Sequence, residues 1–543
     1  MDDILNHVQQ IFERNYGEAT YRPAFAPLTA LGVVFGRGLE FTWDQRFTLY
    51  RKISRELISL EPRFWGKPML YTNSSEVMRQ IAATAPWGKP QCPRQPPKRR
   101  HTRFREYELY TDRLVSCPGG YWGKNLLTSN GAEWKKHRKI VQPAFNNQTY
   151  EMVWKETTRF FNEMIVMDNW PPIPEESKQF ERAQTFTQRV ALCVILSCGF
   201  GIPLSWSDKT NAGDDGFGLD EGIKFQGENA TLMGHAPSWL FRLPFKKCPY
   251  LIDKFQYIRR GIEAMRSWFR TSIANKKAEI ANVLAETDGD QDDALLKRDV
   301  FSRIVLASQT DSALHLNDSE ITGNTWVLFF AGHDTTAKVL AAAFCLLAAH
   351  KAEQAVVVEE IRNVLRGTAE ESLGFEQYGL LIKTRSVFVE ALRMYPAGNI
   401  LLRETNEDTT LQVPCGTNDE GKAVEETVPI PKGTLIMGDM IGMQYNPRSF
   451  PQPECFRPSR WYNAATDEAY TAFSGGPRAC VGRRFALVEG VCFLANVLRH
   501  YEVKPLLRNG ETTESWKERV LQRTEMKMTL GIAESPLVFT RRL

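Results

Sequence analysis

The segment Phe473-Ser474-Gly475-Gly476-Pro477-Arg478-Ala479-Cys480-Val481-Gly482 constrains this chain more than any other, because it sets a lone cysteine in a glycine-flanked loop directly ahead of a helix. The residues that follow, Arg483-Arg484-Phe485-Ala486-Leu487-Val488-Glu489, carry apolar side chains at helical spacing. The first amides of such a helix lack intrahelical partners and point back toward the Cys480 sulfur, where they favour negative charge. The arrangement predicts a thiolate, the form that binds metals and that, on a haem iron, donates electron density promoting O–O cleavage. An isolated cysteine is more often a buried structural thiol, so the neighbours of Cys480 decide between the two readings.

Those neighbours fall into a pattern. Phe473, Gly476, Arg478, Cys480 and Gly482 stand at F-x-x-G-x-R-x-C-x-G, and here the sequence resembles the cytochrome P450 family. The resemblance implies a mainly α fold with a small β region, and haem b held between a distal helix and the cysteine-ligand loop. It makes Cys480 the axial ligand of the haem iron, places Phe473 near the sulfur, and lets Gly476 and Gly482 bring the backbone up to the macrocycle. Arg478 then pairs with a haem propionate.

A second segment, Trp326 to Ala349, is apolar except for His333-Asp334-Thr335-Thr336 and Lys338. A charged group at bilayer depth costs at least about 2.5 kcal/mol, so the pattern predicts a long helix through a protein core, begun by Asp318 or Ser319 as cap. Ala331-Gly332-His333-Asp334-Thr335-Thr336 resembles the family's distal-helix motif A-G-x-D/E-T-T/S. The resemblance implies a helix bent over the open face of the haem, with Asp334 and Thr335 as catalytic residues that organise water for proton delivery. A mid-helix threonine alternatively bonds the carbonyl one turn back. His333 occupies the motif's variable position and reads as a satisfied core or helix-surface histidine.

Between these segments, Glu390 and Arg393 stand three apart on a helix that Pro396 terminates, and match the family's E-x-x-R. Such pairs are usually solvated bridges of little worth, but this one sits among apolar residues. Arg460, in Pro453-Glu454-Cys455-Phe456-Arg457-Pro458-Ser459-Arg460-Trp461, matches P-x-x-F-x-P-x-R-W and is expected to complete a bidentate network. Upstream, Trp134 and Arg138 share a helix face one turn apart. The resemblance gives both to the haem propionates, and makes Arg403 another propionate partner. Its implied substrate contacts are Phe329, Phe330 and Ala331, the loop around Tyr107 to Trp122, and Ala397 to Leu401 with Ile400 among them.

Composition limits the alternatives. A formal charge of +4 over 543 residues, with one dense basic cluster at Lys98-Arg99-Arg100-His101, gives no indication of nucleic-acid binding. Ten cysteines without a C-x-x-C pair, and no secretory signal pattern, point to an intracellular setting without a zinc site. Gly199-Phe200-Gly201 starts like a dinucleotide-binding turn, but Pro203 and Leu204 break the pattern, and the preceding apolar run Val190 to Ser197 is expected to be a buried helix. Residues 1–43 form an N-terminal segment in which Phe25 to Phe35, interrupted by Pro27, is too short to be a membrane anchor; residues 44–543 are expected to be one catalytic domain.

Within that domain, helices are expected over residues 44–60 and 74–84, around a strand near Pro68 to Thr72, with a loop from Pro86 to Arg103. Further connections run from Gly213 to Gly222 and from Glu286 to Asp293, small-sheet strands from Leu411 to Leu435, and terminal strands from Tyr501 to Leu543.

The resemblance thus implies a haem-thiolate monooxygenase, most like a fungal member, that oxidises an apolar organic substrate with O2. Its electrons would come from an NADPH-dependent flavoprotein reductase docking near Cys480. It also implies the endoplasmic reticulum surface, with peripheral membrane association compatible with the absence of a visible anchor. An O2-independent isomerase or dehydratase of the same family, and a non-catalytic haem-thiolate sensor, are the alternatives.

Overall fold

Apolar residues run all the way round Asp318–Ala349, and such a helix is stable only inside protein. The computed structural model describes residues 20–21, 40–53, 55–61, 69–83, 87–88, 122–208, 249–286, 299–307, 314–366, 373–417, 423–463, 472–526 and 529–543, and it buries that helix at the centre of the main hydrophobic core. The helices that frame the site are α1 (Ser75–Ala83), α2 (Gly131–Val141), α3 (Asn147–Met167), α4 (Gln184–Val194), α5 (Pro249–Glu286), α6 (Asp318–Ala349), α7 (Lys351–Leu365), α8 (Ile382–Met394), α9 (Arg483–His500) and α10 (Thr513–Leu521).

Helix α6 begins in a capping box: the Asn317 side chain accepts from the Glu320 N–H at 3.0 Å, and the Glu320 carboxylate accepts from the Asn317 N–H at 3.0 Å. The expected caps, Asp318 and Ser319, lie one and two residues too late. Asn317 is the residue with extended backbone, and the helix has already begun at Asp318. Farther along, Phe344 meets Phe186 of α4 at 6.0 Å between ring centroids and Phe493 of α9 at 6.1 Å, so α6 is gripped from both sides. Where α4 ends, Ile195–Gly199 continues as a π-helical turn, so the run Val190 to Ser197 is the buried helix expected in place of a nucleotide-binding strand.

The β region is small. Strands β1 (Thr20–Tyr21), β2 (Leu57–Leu60), β3 (Met69–Thr72), β4 (Trp87–Gly88), β5 (Ser177–Phe180), β6 (Ile400–Thr405), β7 (Thr409–Thr417), β8 (Ala423–Ile430), β9 (Leu435–Asp439), β10 (Tyr501–Pro505), β11 (Thr524–Met526), β12 (Leu530–Ile532) and β13 (Leu537–Arg541) form one six-stranded sheet, ordered β1-β2-β3-β9-β6-β4, and three smaller ones. In the large sheet β6 runs antiparallel to β9 with Arg403 opposite Ile436. Strands β7 and β8 pair antiparallel within the stretch expected to supply small-sheet strands.

Two expectations need correction. Residues 44–60 are not one helix: short helices Glu40–Asp44 and Leu49–Ile53 precede strand β2. All four residues of β2, Ser59 included, are buried between β1 and β3, and a strand buried on both faces carries no alternation to separate it from helix. The C-terminal strands are likewise interrupted by α10, which starts at a Thr512 cap accepting from the Ser515 N–H. The expected loops at Pro86 to Arg103, apart from β4, and at Gly213 to Gly222, the loop beyond Glu286, the segment Phe25 to Phe35, and the substrate loop ahead of Trp122 lie outside the described residues.

Helices α8 and α9, which carry Glu390 and follow Cys480, touch where Gly490 faces Phe388. A β-carbon on Gly490 would sit 2.2 Å from Phe388 Cε2. Gly490→Ala should therefore cost about 1–3 kcal/mol by overpacking, read as a lowered denaturation midpoint; an unchanged midpoint would show that the two helices slide apart freely.

Candidate active site around Cys480

The loop ahead of α9 is shaped by Gly476, whose φ of +68° only glycine adopts without strain. A side chain there would also meet the Ala82 β-carbon of α1 at 3.0 Å. The Cys480 N–H donates to the Phe473 carbonyl at 2.9 Å, and Arg138 of α2 donates to the Ala479 carbonyl at 3.0 Å. The loop is thus clamped from inside and from α2. Gly482 is different: its φ is −85°, and a β-carbon would find only Phe145 Cε1, at 3.9 Å. Its lack of a side chain leaves room, not a turn.

Cys480 itself is exposed. Protein crowding the sulfur pushes the thiol above its ordinary value, while the Gly482 N–H and the charges of Arg138 and Arg483 pull it down without prevailing. The helix terminus therefore does less than the sequence suggests. One amide reaches the sulfur, and a bound metal cation would add a stronger field favouring the thiolate.

Four of the expected haem contacts converge beside it. The Arg478 guanidinium lies 4.7 Å from the Trp134 ring centroid and donates to the Ser129 carbonyl at 2.7 Å and to Asn130 Oδ1 at 2.8 Å. Burial, together with the like charge of Arg403, holds Arg478 down at about 10. Arg403 is itself buried on β6. Two guanidinium groups repelling one another, with Arg478 bonded to neutral acceptors, make a place for an anion. A thiol donor, a cationic pair able to meet carboxylates and the open space at Gly482 fit an iron porphyrin carrying propionates. Cys480 would hold the iron, and Arg478, Arg403, Arg138 and Trp134 the rim. Phe473, half-buried, lies against Arg483 at 5.9 Å.

A separate buried network ties α8 to residues 444 and 455–461. Arg393 donates to both Glu390 carboxylate oxygens at 2.9 Å, and to the carbonyls of Gln444 at 2.9 Å and Cys455 at 3.2 Å. Arg460 approaches Glu390 at 3.3 Å, as expected. The sequence reading missed two further donors: Trp461 Nε1 at 2.7 Å and the Arg457 N–H at 3.0 Å. With Glu390 and Arg393 almost wholly buried, every strong group in the pair is satisfied.

On α6 the outcome is mixed. Leu328, Ala331, Gly332 and Thr335 retain open surface, as does Asp334, and the spacing of the first four places them on one face. Phe329 and Phe330, expected in the pocket, lie off that stripe. Phe329 is fully buried against Phe200, Trp268 and Phe269, and Phe330 stacks on Trp326 at 5.8 Å. Leu328 has the position they were assigned, and helical phase would have shown it. Ile400 packs with Leu402 and Met437, on the face of β6 opposite Arg403 by strand alternation.

The Thr335 hydroxyl bonds the Ala331 carbonyl at 2.9 Å, the back-bond of the alternative reading. The Asp334 carboxylate accepts from the Thr529 hydroxyl and pairs with Lys338 at 3.2 Å. Burial pushes the Asp334 carboxyl up, but Lys338, His333 and Thr529 together leave it below its ordinary value. The acid and the hydroxyl are therefore neighbours in sequence with different partners. His333 is a buried histidine bonded to the Phe329 carbonyl at 2.9 Å, as expected.

A thiol at a helix start, a cationic rim and an apolar distal stripe bearing one hydroxyl are the parts of a haem-thiolate oxygenase. The comparisons agree. The family model for cytochrome P450 matches residues 108–530. Cytochrome P450 monooxygenase 124 of Postia placenta is 30% identical over 430 residues, covering 78% of this chain and 77% of its own. A cytochrome P450 monooxygenase of Arthrobotrys oligospora is 25% identical over 457 residues, covering 76% and 75%. The phomenoic acid biosynthesis cluster cytochrome P450 monooxygenase of Leptosphaeria maculans is 25% identical over 438 residues, covering 72% and 70%. This chain belongs to the cytochrome P450 family. It is accordingly a haem b-containing monooxygenase that draws electrons from a redox partner and acts with O2 on apolar substrates.

Removing the Glu390 carboxylate leaves Arg393 buried without its counter-charge, at a cost of about 3–5 kcal/mol. Glu390→Ala should give protein with little or no haem, measured by the haem-to-protein absorbance ratio; full haem content would refute the anchoring role.

One residue escaped the sequence reading altogether. Glu489 of α9 is fully buried with neither carboxylate oxygen hydrogen-bonded, and burial pushes its carboxyl well above the ordinary value. The folded protein thus binds a proton there that the unfolded chain releases, and stability falls as pH rises from the ordinary carboxylate value toward the raised one. Glu489→Gln should flatten that fall, stabilising the protein at pH 8 but not near pH 4 in denaturation curves. A variant that tracks the wild type at both pH values would contradict this.

Proposed function

We propose that this protein inserts one atom of O2 into an apolar organic molecule, a terpenoid, fatty acyl chain or other secondary metabolite, with Cys480 as the axial ligand of the haem iron. The open α6 stripe carries the reading: Leu328, Ala331 and Gly332 offer an apolar wall interrupted by one hydroxyl, that of Thr335. A pocket of that kind binds by excluding water and offers few polar anchors. The relative from Leptosphaeria maculans is named for a biosynthetic cluster, which supports a secondary metabolite as substrate. When bound, the haem supplies O2 activation through its thiolate-ligated iron.

The chain's own residues set the conditions for that chemistry. Clamped by Phe473 and Arg138, the loop fixes the sulfur, while the Glu390 network holds the segment behind it. Thr335 offers a hydroxyl able to exchange its back-bond to Ala331 for a water, and Asp334 is the acid beside it that replenishes the proton. The Asp334–Thr335 pair speaks against the O2-independent isomerase. The experiment that tests the reading is metabolite profiling of cells co-expressing this chain with a reductase, with Cys480→Ser as control. Hydroxylated products are expected from the native chain alone, and products formed equally by both would refute it. Haem binding without turnover of any metabolite would favour the sensor.

We also propose an NADPH-dependent flavoprotein reductase as the redox partner, docking over the face where α2 meets the cysteine loop. Lys135 and Lys139 of α2 and Arg484 of α9 are exposed there, and a surface groove is lined by Arg138, Lys139, Gln142, Pro143, Phe145 and Asn146. Such a face draws an acidic partner and is screened by salt. Among the described residues no single helix is long and apolar enough to cross a membrane; association with the endoplasmic reticulum surface is proposed as peripheral. Lys139→Glu together with Arg484→Glu should lower the reductase association rate at least about tenfold at low ionic strength, measured by stopped-flow reduction, and an unchanged rate would move the docking face elsewhere.

A further inference from the structure

The acid of α6 is held by groups from a distant part of the chain. Lys338 lies one turn beyond Asp334, pairs with its carboxylate at 3.2 Å, and donates to the Thr529 carbonyl at 3.2 Å and hydroxyl at 2.5 Å. The same Thr529 hydroxyl donates to Asp334. Thr529 is buried and immediately precedes β12, whose pairing with β11 places it at the end of a hairpin. That hairpin packs tightly on α6, since a β-carbon on Gly531 would come within 2.9 Å of Lys338 Cδ.

The hairpin is also tied to the segment following α8. The Leu530 N–H donates to the Ala397 carbonyl at 3.0 Å, and Asn399 Nδ2 lies 3.0 Å from Met526 Sδ. Ala397 to Leu401 is among the stretches assigned to substrate contact. One small hairpin therefore joins the proposed substrate wall on one side to the proposed proton-donating acid on the other.

We propose that Lys338 and Thr529 are positioning residues of the proton-delivery acid: they clamp Asp334 against the β11–β12 hairpin, away from Thr335, and substrate seated against Ala397 to Leu401 loosens the clamp. This rests on the reading of Asp334 as the proton-supplying acid. In the clamped state the carboxylate is ionised and occupied. Once released, it takes one proton from hydronium in bulk solvent, leaving water, and passes one through the water held by Thr335 to the oxygen being reduced, returning to the carboxylate; no electrons move in this step. With the clamp shut, a larger share of the electrons is expected to leave as hydrogen peroxide when no substrate is present.

The test uses the haem-loaded full chain with a flavoprotein reductase and NADPH, no substrate added, and two readouts. In the first, the share of NADPH electrons recovered as hydrogen peroxide should fall in Thr529→Val and in Lys338→Met, rise in Asp334→Asn, and return to the wild-type share in Thr529→Ser, which keeps the hydroxyl. The second is hydrogen–deuterium exchange of residues 524–526 and 529–532, which should speed up about tenfold in Thr529→Val as a buried hydrogen bond is lost. If Thr529→Val and Lys338→Met leave both readouts unchanged, or raise peroxide as Asp334→Asn does, the clamp is wrong while the acid stands. An unchanged peroxide share in Asp334→Asn removes the acid, and the clamp with it.

Discussion

The carboxylate of Glu390 is the interaction on which the site's geometry depends. It is a charge buried beyond the reach of water, and such a charge survives only when its lone pairs are filled. Arg393, Arg460, Trp461 and the Arg457 amide fill them, drawing α8 and residues 455–461 into one rigid body. Gly490 lets α9 settle against Phe388 of the same α8. The cysteine loop that feeds α9 is therefore referenced to a fixed point, which a ligand loop made of glycine and proline does not supply for itself.

Around that fixed point the site divides its charges by side. Cations gather around the cysteine loop, where Arg138, Arg403 and Arg478 lie, and Lys139 and Arg484 meet solvent. Helix α6 keeps Asp334 compensated by Lys338 and turned toward Thr529. An apolar stripe with a lone hydroxyl remains open between these regions of charge. At Cys480, crowding by protein raises the thiol, while the Gly482 N–H and the charges of Arg138 and Arg483 pull it down.

The parts legible from sequence were those whose chemistry is local. Cys480 before a helix, Glu390 and Arg393 one turn apart, and Trp134 and Arg138 on one face each declare themselves within ten residues or so, because loop, helix and spacing are short-range properties. Strand β2 did not, since a run buried on both faces has no period to read. Phe329 and Phe330 were drawn into the pocket by their apolarity, although helical phase puts Leu328, not them, on the open face with Ala331 and Thr335. Thr529 was invisible for another reason: its partner Asp334 lies 195 residues away, and nothing in either neighbourhood marks the meeting. Glu390 lies 71 residues from Trp461, but there the motif around Arg460 marked the meeting and only the indole donor went unread.

The most direct measurement of the sulfur–iron bond is X-ray absorption at the iron edge on the purified, haem-loaded protein. A single sulfur scatterer in the first coordination shell, beside the porphyrin nitrogens, is expected from the Cys480 loop. A shell made only of nitrogen and oxygen donors would contradict the assignment and the oxygen chemistry built upon it.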